Sequence, residues 1–395
     1  MSQAREPTSD GRTTACHEAD AKSVTRIPGF VDPWFLSRYG MNLYRGCEHG
    51  CAYCDGRAEK YYVPGDFARD IRVKRNAIPV LARELERVRE PGFVFLGGGV
   101  CDAYQPAEAR YGLARGVLEL ALQHRLPVHV LTKSTLVEQD LPLLEELQAQ
   151  RQVVLSCSIS LLDESDRERF EAGAAPLEER WRLLAEAKRR GLGAGVMIMP
   201  VLPGISDQPE AIDALVARAA ALELDFACFG GLTLRPGRQK DGFLEQIAEQ
   251  YPSLLEGYQV VYRTNRESGA GAARYYDRIN RRYFAALEKY GLPGRLPRRL
   301  FQGQIPTYAE AAVLLEHREF ERSQAGQPGG GLARAGHAIQ QWARGRFAAK
   351  RLKTYNHRAV QREFLAKVRE RTLLELPHVN VAALRVVEEV LGLTS

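Results

Sequence analysis

Six short apolar runs punctuate the first 240 residues: MNLYRG (41–46), FVFLG (93–97), VHVLT (128–132), VVLSCSIS (153–160), GAGVMIMP (193–200) and FACFGGLTL (226–234). Each is rich in Val, Ile, Leu or Phe, and most close on Gly, Ser, Thr or Pro, as buried parallel strands do. Between them apolar residues recur at helical spacing: Ile78, Leu81, Leu85 and Val88; Leu113, Val117 and Leu120; Ile212, Leu215, Val216, Ala219 and Leu222. The alternation predicts a repeated β-α unit, α/β in class. Six units fall short of a closed eight-stranded barrel, and periodicity alone leaves an open doubly wound sheet and a partial barrel both standing. Residues 1–30 are polar and aperiodic and read as a flexible arm, ahead of a core over 31–237. Residues 238–322 read as a helical extension, the Gly- and Pro-rich 323–331 as a linker and 332–395 as a basic helical tail.

The chemistry concentrates in RGCEHGCAYCDG, where Cys47, Cys51 and Cys54 are spaced Cys-x3-Cys-x2-Cys. A tight loop with Gly46 and Gly50 at its bends can turn three thiols inward, and soft thiolates suit zinc or an iron–sulfur cluster. Both usually take four protein ligands. Three leave a metal position open for something else, unless Cys16, His17 or His49 completes a zinc site. The loop lies at the C-terminal end of the first predicted strand, the end at which barrels of β-α units gather functional groups. The other strands agree: Cys101, Asp102 and Tyr104 follow the second, Lys133 the third, Ser158 and Ser160 end the fourth, Pro200 the fifth, and Thr233 and Arg235 follow the sixth. Alternation puts Ser156, Ser158 and Ser160 on one strand face and Cys157 on the other, among the helices.

Composition narrows the class. Of 395 residues 45% are hydrophobic and 26% charged, enough for a sizeable core. No run of about 18 apolar residues predicts a membrane span, and the polar N-terminus lacks the apolar stretch of a secretory leader, so a cytoplasmic protein is expected. Seven cysteines are too few for a disulfide scaffold. The net charge of +6 is uneven: residues 331–395 carry 12 Lys/Arg against 5 Asp/Glu, the preceding residues 43 against 44. Such a tail suits a phosphate backbone or simply a solvated surface.

The cysteine triplet with Tyr53 before its last member, together with NLYRGCEHGCAYCDGR, GVCDAYQPAE, LTKS, SIS, FEAGAAPLEER and MPVLPGISD, resembles the radical S-adenosylmethionine (SAM) enzymes, and among them the spore photoproduct lyase-like group, over residues 39–235. The resemblance implies a partial (βα)6 barrel of the radical SAM type and a [4Fe–4S] cluster on Cys47, Cys51 and Cys54. SAM would sit on the free iron, its adenine near Tyr53 and its carboxylate held by Lys133 and Ser158, with Ser160 on the same strand face. A 5′-deoxyadenosyl radical would then take hydrogen from the substrate. The group carries a hydrogen-donating cysteine after its second strand. Aligned on Asp102 that position falls at Gly99, so Cys101 is two residues out of register, while Asp102 and Tyr104 order SAM or substrate or cap the next helix. The resemblance further implies a flavodoxin or ferredoxin as electron donor and nucleic acid as substrate. A peptide or small metabolite as substrate, and a zinc-containing nucleic-acid-binding protein, are the alternatives.

Overall fold

The computed structural model describes residues 5–7, 13–88, 90–98, 100–349 and 357–393; Gly99 and 350–356, part of the basic tail, lie outside them. The strands, in chain order, are β1 (Arg5–Pro7), β2 (Thr13–Ala19), β3 (Thr25–Arg26), β4 (Ser37–Met41), β5 (Tyr44–Arg45), β6 (Asp70–Lys74), β7 (Phe93–Leu96), β8 (Val128–Thr132), β9 (Val153–Ser158), β10 (Gly193–Val201) and β11 (Phe226–Gly231). Six of them run parallel and pair in chain order, β4-β7-β8-β9-β10-β11, with β3 antiparallel outside β4. A doubly wound sheet reverses its order partway. An unbroken progression with helical crossovers curves as a barrel wall, so the fold is the partial (βα)6 barrel.

Strand alternation divides the packing into two cores. Leu96, Val130, Leu155, Cys157, Val196 and Phe229 share one with the helices Ala77–Leu85, Leu113–His124, Leu141–Gln150, Leu177–Arg189 and Pro209–Ala221. Cys157 therefore lies on the helix side, as expected. Phe93, Val154, Met197, Phe226 and Cys228 face the other way and join Val31, Leu36, Tyr308, Ile339, Phe364 and Leu384. The concave face of the barrel is thus plugged by residues 31–36 and the C-terminal helices near the strands' N-terminal ends, and its other end is left for the site.

Three expectations need correction. The first barrel strand is β4, not 41–46; Tyr44–Arg45 leaves the barrel to pair antiparallel with β6, in a second sheet ordered β1-β2-β6-β5. Only alternate residues of β4 are buried, Ser37, Tyr39 and Met41, so its composition is that of an edge and its neighbour's apolar run draws the eye. Residues 1–30 are not simply an arm: β2 pairs in parallel with β6, β3 pairs with β4, and Val24 is buried. Strands with one wet face need few apolar residues, which explains the polar reading. Residues 325–331 are a tight turn, with Arg322 Nε donating to Pro328 O at 2.7 Å and Ala333 N–H to Glu319 at 2.9 Å. The helices it joins, Thr307–Gln324 and Leu332–Ala349, are so close that a Cβ on Gly336 would meet Ala312 O at 2.7 Å. Among the described residues, the expected tail packs into the core through Leu332, Ile339, Phe364 and Leu384.

Candidate metal and cofactor site

The cysteine loop is made by its glycines and held by its neighbours. Gly46 has φ +81°, and a Cβ there would stand 2.9 Å from Phe67 O; Gly50 has φ +61°. Both lie where L-residues are disfavoured. Cys47 N–H donates to Phe67 O, Ala52 N–H to Phe170 O and Gly173 N–H to His49 O, each within 3.0 Å. Arg57 donates to Cys51 O at 2.8 Å and Gly50 O at 2.6 Å. Gln105 clasps the loop from the other side, accepting from Glu48 N–H at 3.0 Å and donating to Gly46 O at 3.3 Å. Beyond Cys54, Asp55 accepts from Thr233 Oγ1 at 3.0 Å and Arg235 Nε at 3.1 Å, which joins the end of the last strand to the loop. Arg235 is therefore engaged by a carboxylate.

Cys47, Cys51, Cys54, Cys101, Lys133 and Ser158 line one cavity of about 110 Å³ at the C-terminal ends of the strands, with Gly97, Gly98 and Leu131 in its wall. Burial pushes all three loop thiols up, Cys51 to about 12, and Asp102 adds to the effect at Cys47. Ligation by a metal centre would stabilise the thiolates that burial disfavours. Among the described residues no three His, Cys, Asp or Glu side chains are arranged to hold a single metal ion. Of the candidates to complete a zinc site, His17 is engaged by Asp70 at 3.1 Å, Cys16 does not line the cavity, and His49 does so beside Asp102 at 3.4 Å.

Beneath Lys133 lies a buried charge network. Arg180, fully buried, donates to Glu171 Oε2 at 2.6 Å, Ser158 O at 3.0 Å and Ala175 O at 2.7 Å. The Tyr53 hydroxyl donates to Glu171 Oε1, and Lys133 Nζ stands 4.0 Å from that oxygen and 5.8 Å from the centre of the Tyr53 ring. Burial pushes the Glu171 carboxyl up, yet Arg180 and then Lys133 outweigh it and hold the group below its ordinary value. Arg180 and Lys133 share Glu171, and Arg180 takes the closer bond, so the Lys133 ammonium stands unsaturated at the cavity wall, with Asp102 as the second carboxylate of the site.

Several predicted site residues fall into place around this arrangement and others do not. Lys133 and Ser158 reach the cavity wall. Tyr53 is buried beneath Lys133 and tied to Glu171, outside the residues that line the cavity. Asp102 accepts from Thr132 Oγ1 at 2.9 Å, Lys133 N–H at 2.8 Å and Tyr104 N–H at 2.8 Å, fixing the end of β8. Tyr104 is fully buried with its hydroxyl on Asp140 at 3.0 Å, and Ser160 is buried with an unpartnered hydroxyl; neither lines the cavity. For Tyr104 this corrects the expected contact with SAM or substrate: its ring packs the core between strand ends. Cys101 lines the cavity, its thiol donating to Tyr44 O at 3.2 Å. Sequence reasoning missed Glu171, Arg180 and Gln105, although all three lie in the quoted stretches FEAGAAPLEER and GVCDAYQPAE. Arg180 carried a signal, since it falls in the stripe Leu177, Trp181, Leu184 and Ala187 that its helix buries, where a lone arginine needs a buried partner.

Comparison with known proteins agrees with this geometry. The radical SAM superfamily profile matches residues 41–216. An uncharacterised protein of Mycobacterium tuberculosis (strain H37Rv) is 33% identical over 295 residues, 73% of this chain and 84% of the relative. An uncharacterised protein of Methanocaldococcus jannaschii is 26% identical over 238 residues, 60% of this chain and 82% of the relative. Among solved structures, spore photoproduct lyase complexed with dinucleoside spore photoproduct superposes with a TM-score of 0.52 at 14% identity, covering 71% of this chain and 80% of that one. A variant of that lyase gives 0.53 at 15% identity with the same coverage. A three-thiol loop at the mouth of a six-unit barrel, the sequence match over that barrel and a relative spanning most of the chain lead to one conclusion: the chain belongs to the radical SAM superfamily of enzymes, with the fold of spore photoproduct lyase.

Proposed function

We propose that Cys47, Cys51 and Cys54 ligate a [4Fe–4S] cluster that leaves one iron for SAM, and that the enzyme acts on nucleic acid. The donor chemistry fits: three soft thiols from one restrained loop line one cavity. When bound, cluster and SAM together supply a 5′-deoxyadenosyl radical that takes a hydrogen atom from substrate. The protein's part is to hold and orient. The observation that carries the reading is the unsaturated ammonium of Lys133 at the cavity wall. Arg180 saturates one Glu171 oxygen at 2.6 Å, so Lys133, 4.0 Å from the other, keeps donors for the SAM carboxylate. Ser158 stands on the same wall. Gly97 and Gly98, in the same wall, let a bound molecule approach the backbone closely. Cys101, which lines the same cavity, is suited to return a hydrogen atom to a substrate radical.

The nucleic-acid substrate is supported by the likeness to a lyase whose structure holds a dinucleoside photoproduct and by the basic C-terminal region. All seven cysteines are free, which suits the reducing cytoplasm, and no described helix is long and apolar enough to cross a membrane. A flavodoxin or ferredoxin would deliver the electron. The test is anaerobic reconstitution and reduction with SAM, assaying 5′-deoxyadenosine in the wild type and in a Cys47→Ala/Cys51→Ala/Cys54→Ala variant, followed by ultraviolet-treated DNA as substrate. Iron, sulfide and 5′-deoxyadenosine in the wild type alone support the cofactor assignment; zinc without sulfide refutes it. DNA without effect on turnover would move the substrate to a peptide or small metabolite.

A further inference from the structure

Beside the cavity, on the open face of the small sheet, β5 and β6 bring Arg45 and Arg72 directly opposite each other in antiparallel register, with Lys74 two residues on along the same face. Like charges so placed oppose one another. Asp70 and Glu84 act on Arg72 and Lys74 only from a distance, and no carboxylate forms an ion pair with the three among the described residues: Asp70 is taken by His17 at 3.1 Å and Asp66 N–H at 2.8 Å, Asp20 by Arg75 at 2.8 Å, and Glu84 by Thr25 at 2.7 Å. Arg72 Nε is buried without an acceptor. These cations, with Lys22, line a groove of about 520 Å³ whose rim carries Tyr62. Tyr62 is 78% exposed, held out in left-handed conformation at φ 50°. The groove adjoins the reaction cavity, since Arg45 is two residues ahead of Cys47 and the Cys101 thiol hydrogen-bonds the carbonyl of Tyr44. The C-terminal helices, by contrast, spend much of their charge internally: Arg346 pairs with Glu363, Lys367 with Glu375 and Arg371 with Glu388.

We infer that this groove binds a single-stranded stretch of the nucleic-acid substrate, with phosphates on Arg45 and Arg72 and a base stacked on Tyr62. Unpaired cations set opposite one another want a polyanion, and an exposed aromatic ring beside them is how single strands are gripped without reading sequence. A small anion would leave the Tyr62 ring unexplained. The inference rests on the nucleic-acid reading above and moves the substrate contact from the basic tail to the N-terminal sheet.

The test is fluorescence anisotropy of a labelled single-stranded 12-mer with the cluster-loaded protein, across 50–200 mM salt. Arg45→Gln/Arg72→Gln should lower the slope of log affinity against log salt by about 1.4, at about 0.7 per lost phosphate contact. Tyr62→Ala should weaken binding roughly tenfold with the slope unchanged. Thermal melts check folding, and Arg45→Gln and Tyr62→Ala, both at exposed positions, keep the test decisive if the double variant does not fold. Wild-type binding left unchanged by every variant overturns the groove but leaves the nucleic-acid reading intact. Tripolyphosphate bound through Arg45 and Arg72, with no oligonucleotide bound, makes the groove a small-polyanion site and overturns both. No binding of either probe also overturns both.

Discussion

Replacing Arg180 by Met tests the charge network under the cavity most directly. The substitution keeps the bulk of the side chain but removes three hydrogen bonds, to Glu171 at 2.6 Å, Ala175 O at 2.7 Å and Ser158 O at 3.0 Å. It leaves Glu171, 1% exposed, with Lys133 as its remaining cation. Removing one partner of a buried pair costs about 3–5 kcal/mol, because the other charge stays buried. Two carbonyls left without donors act in the same direction. Part of the loss is recovered by drawing Lys133 from 4.0 Å to hydrogen-bond distance of Glu171, which deepens the pair from about 4 to about 6 kcal/mol at an effective dielectric of about 20. That recovery takes the ammonium away from the cavity. The expectation is therefore double: a stability loss of about 3 kcal/mol by urea denaturation of the metal-free protein, and SAM binding weakened about tenfold in equilibrium dialysis of the loaded one. A Glu171→Gln/Arg180→Met variant, with no charge stranded, should regain about 2 kcal/mol relative to Arg180→Met. If Arg180→Met matches wild type within about 0.5 kcal/mol and binds SAM normally, the network does not set the charge at Lys133 and the reasoning fails.

Other substitutions probe separate parts of the site. Gly46→Ala must put a Cβ 2.9 Å from Phe67 O at φ +81°; it should cost about 2 kcal/mol or more and lower the iron bound on reconstitution, read by metal analysis. Asp102→Asn brings an amide NH2 into a position that accepts from Thr132, Lys133 and Tyr104; a loss of about 2 kcal/mol with weaker SAM binding is expected from denaturation and dialysis. Burial holds His129 and His317 at about 4, against an ordinary 6.5. Both stay neutral when folded, so their contribution is complete above pH 6.5 and falls as pH drops toward 4, by up to about 3 kcal/mol each. Urea midpoints should decline from pH 7.5 to 5, and His129→Gln should flatten that decline.

The barrel was legible because parallel strands buried on both faces are written as uninterrupted apolar runs, as in VHVLT and VVLSCS. Their helices were legible from stripes such as Ile212, Leu215, Val216 and Ala219. The cysteine triplet was legible because ligand spacing within one loop is local. What stayed hidden was decided over long distances. Strands of the small sheet such as Thr13–Ala19 bury little and read as coil, and the turn at 325–331 has the composition of a linker although Arg322 and Glu319 pin it. Glu171 reads as a surface carboxylate until the fold brings Tyr53, 118 residues earlier, onto it. Asp102 and Tyr104 were found as residues but not as supports, since only the third dimension separates a side chain facing a cavity from one bracing its wall.

The plug of C-terminal helices on the concave face carries a consequence for synthesis. Val31 N–H donates to the Gln340 side chain at 2.9 Å, 309 residues away, and Leu36 and Phe93 share a core with Ile339, Phe364 and Leu384. The barrel's apolar interior therefore remains uncovered while the ribosome builds more than 300 residues. Closing loops this long is slow, and exposed apolar surface invites aggregation or chaperone capture. The cysteine loop and the rest of its cavity wall, all within residues 47–158, are made well before the helices that plug the other end of the barrel. A chain stopped at residue 330 would keep Phe301 and Tyr308 but lack Leu332, Ile339, Phe364 and Leu384, leaving part of that core uncovered.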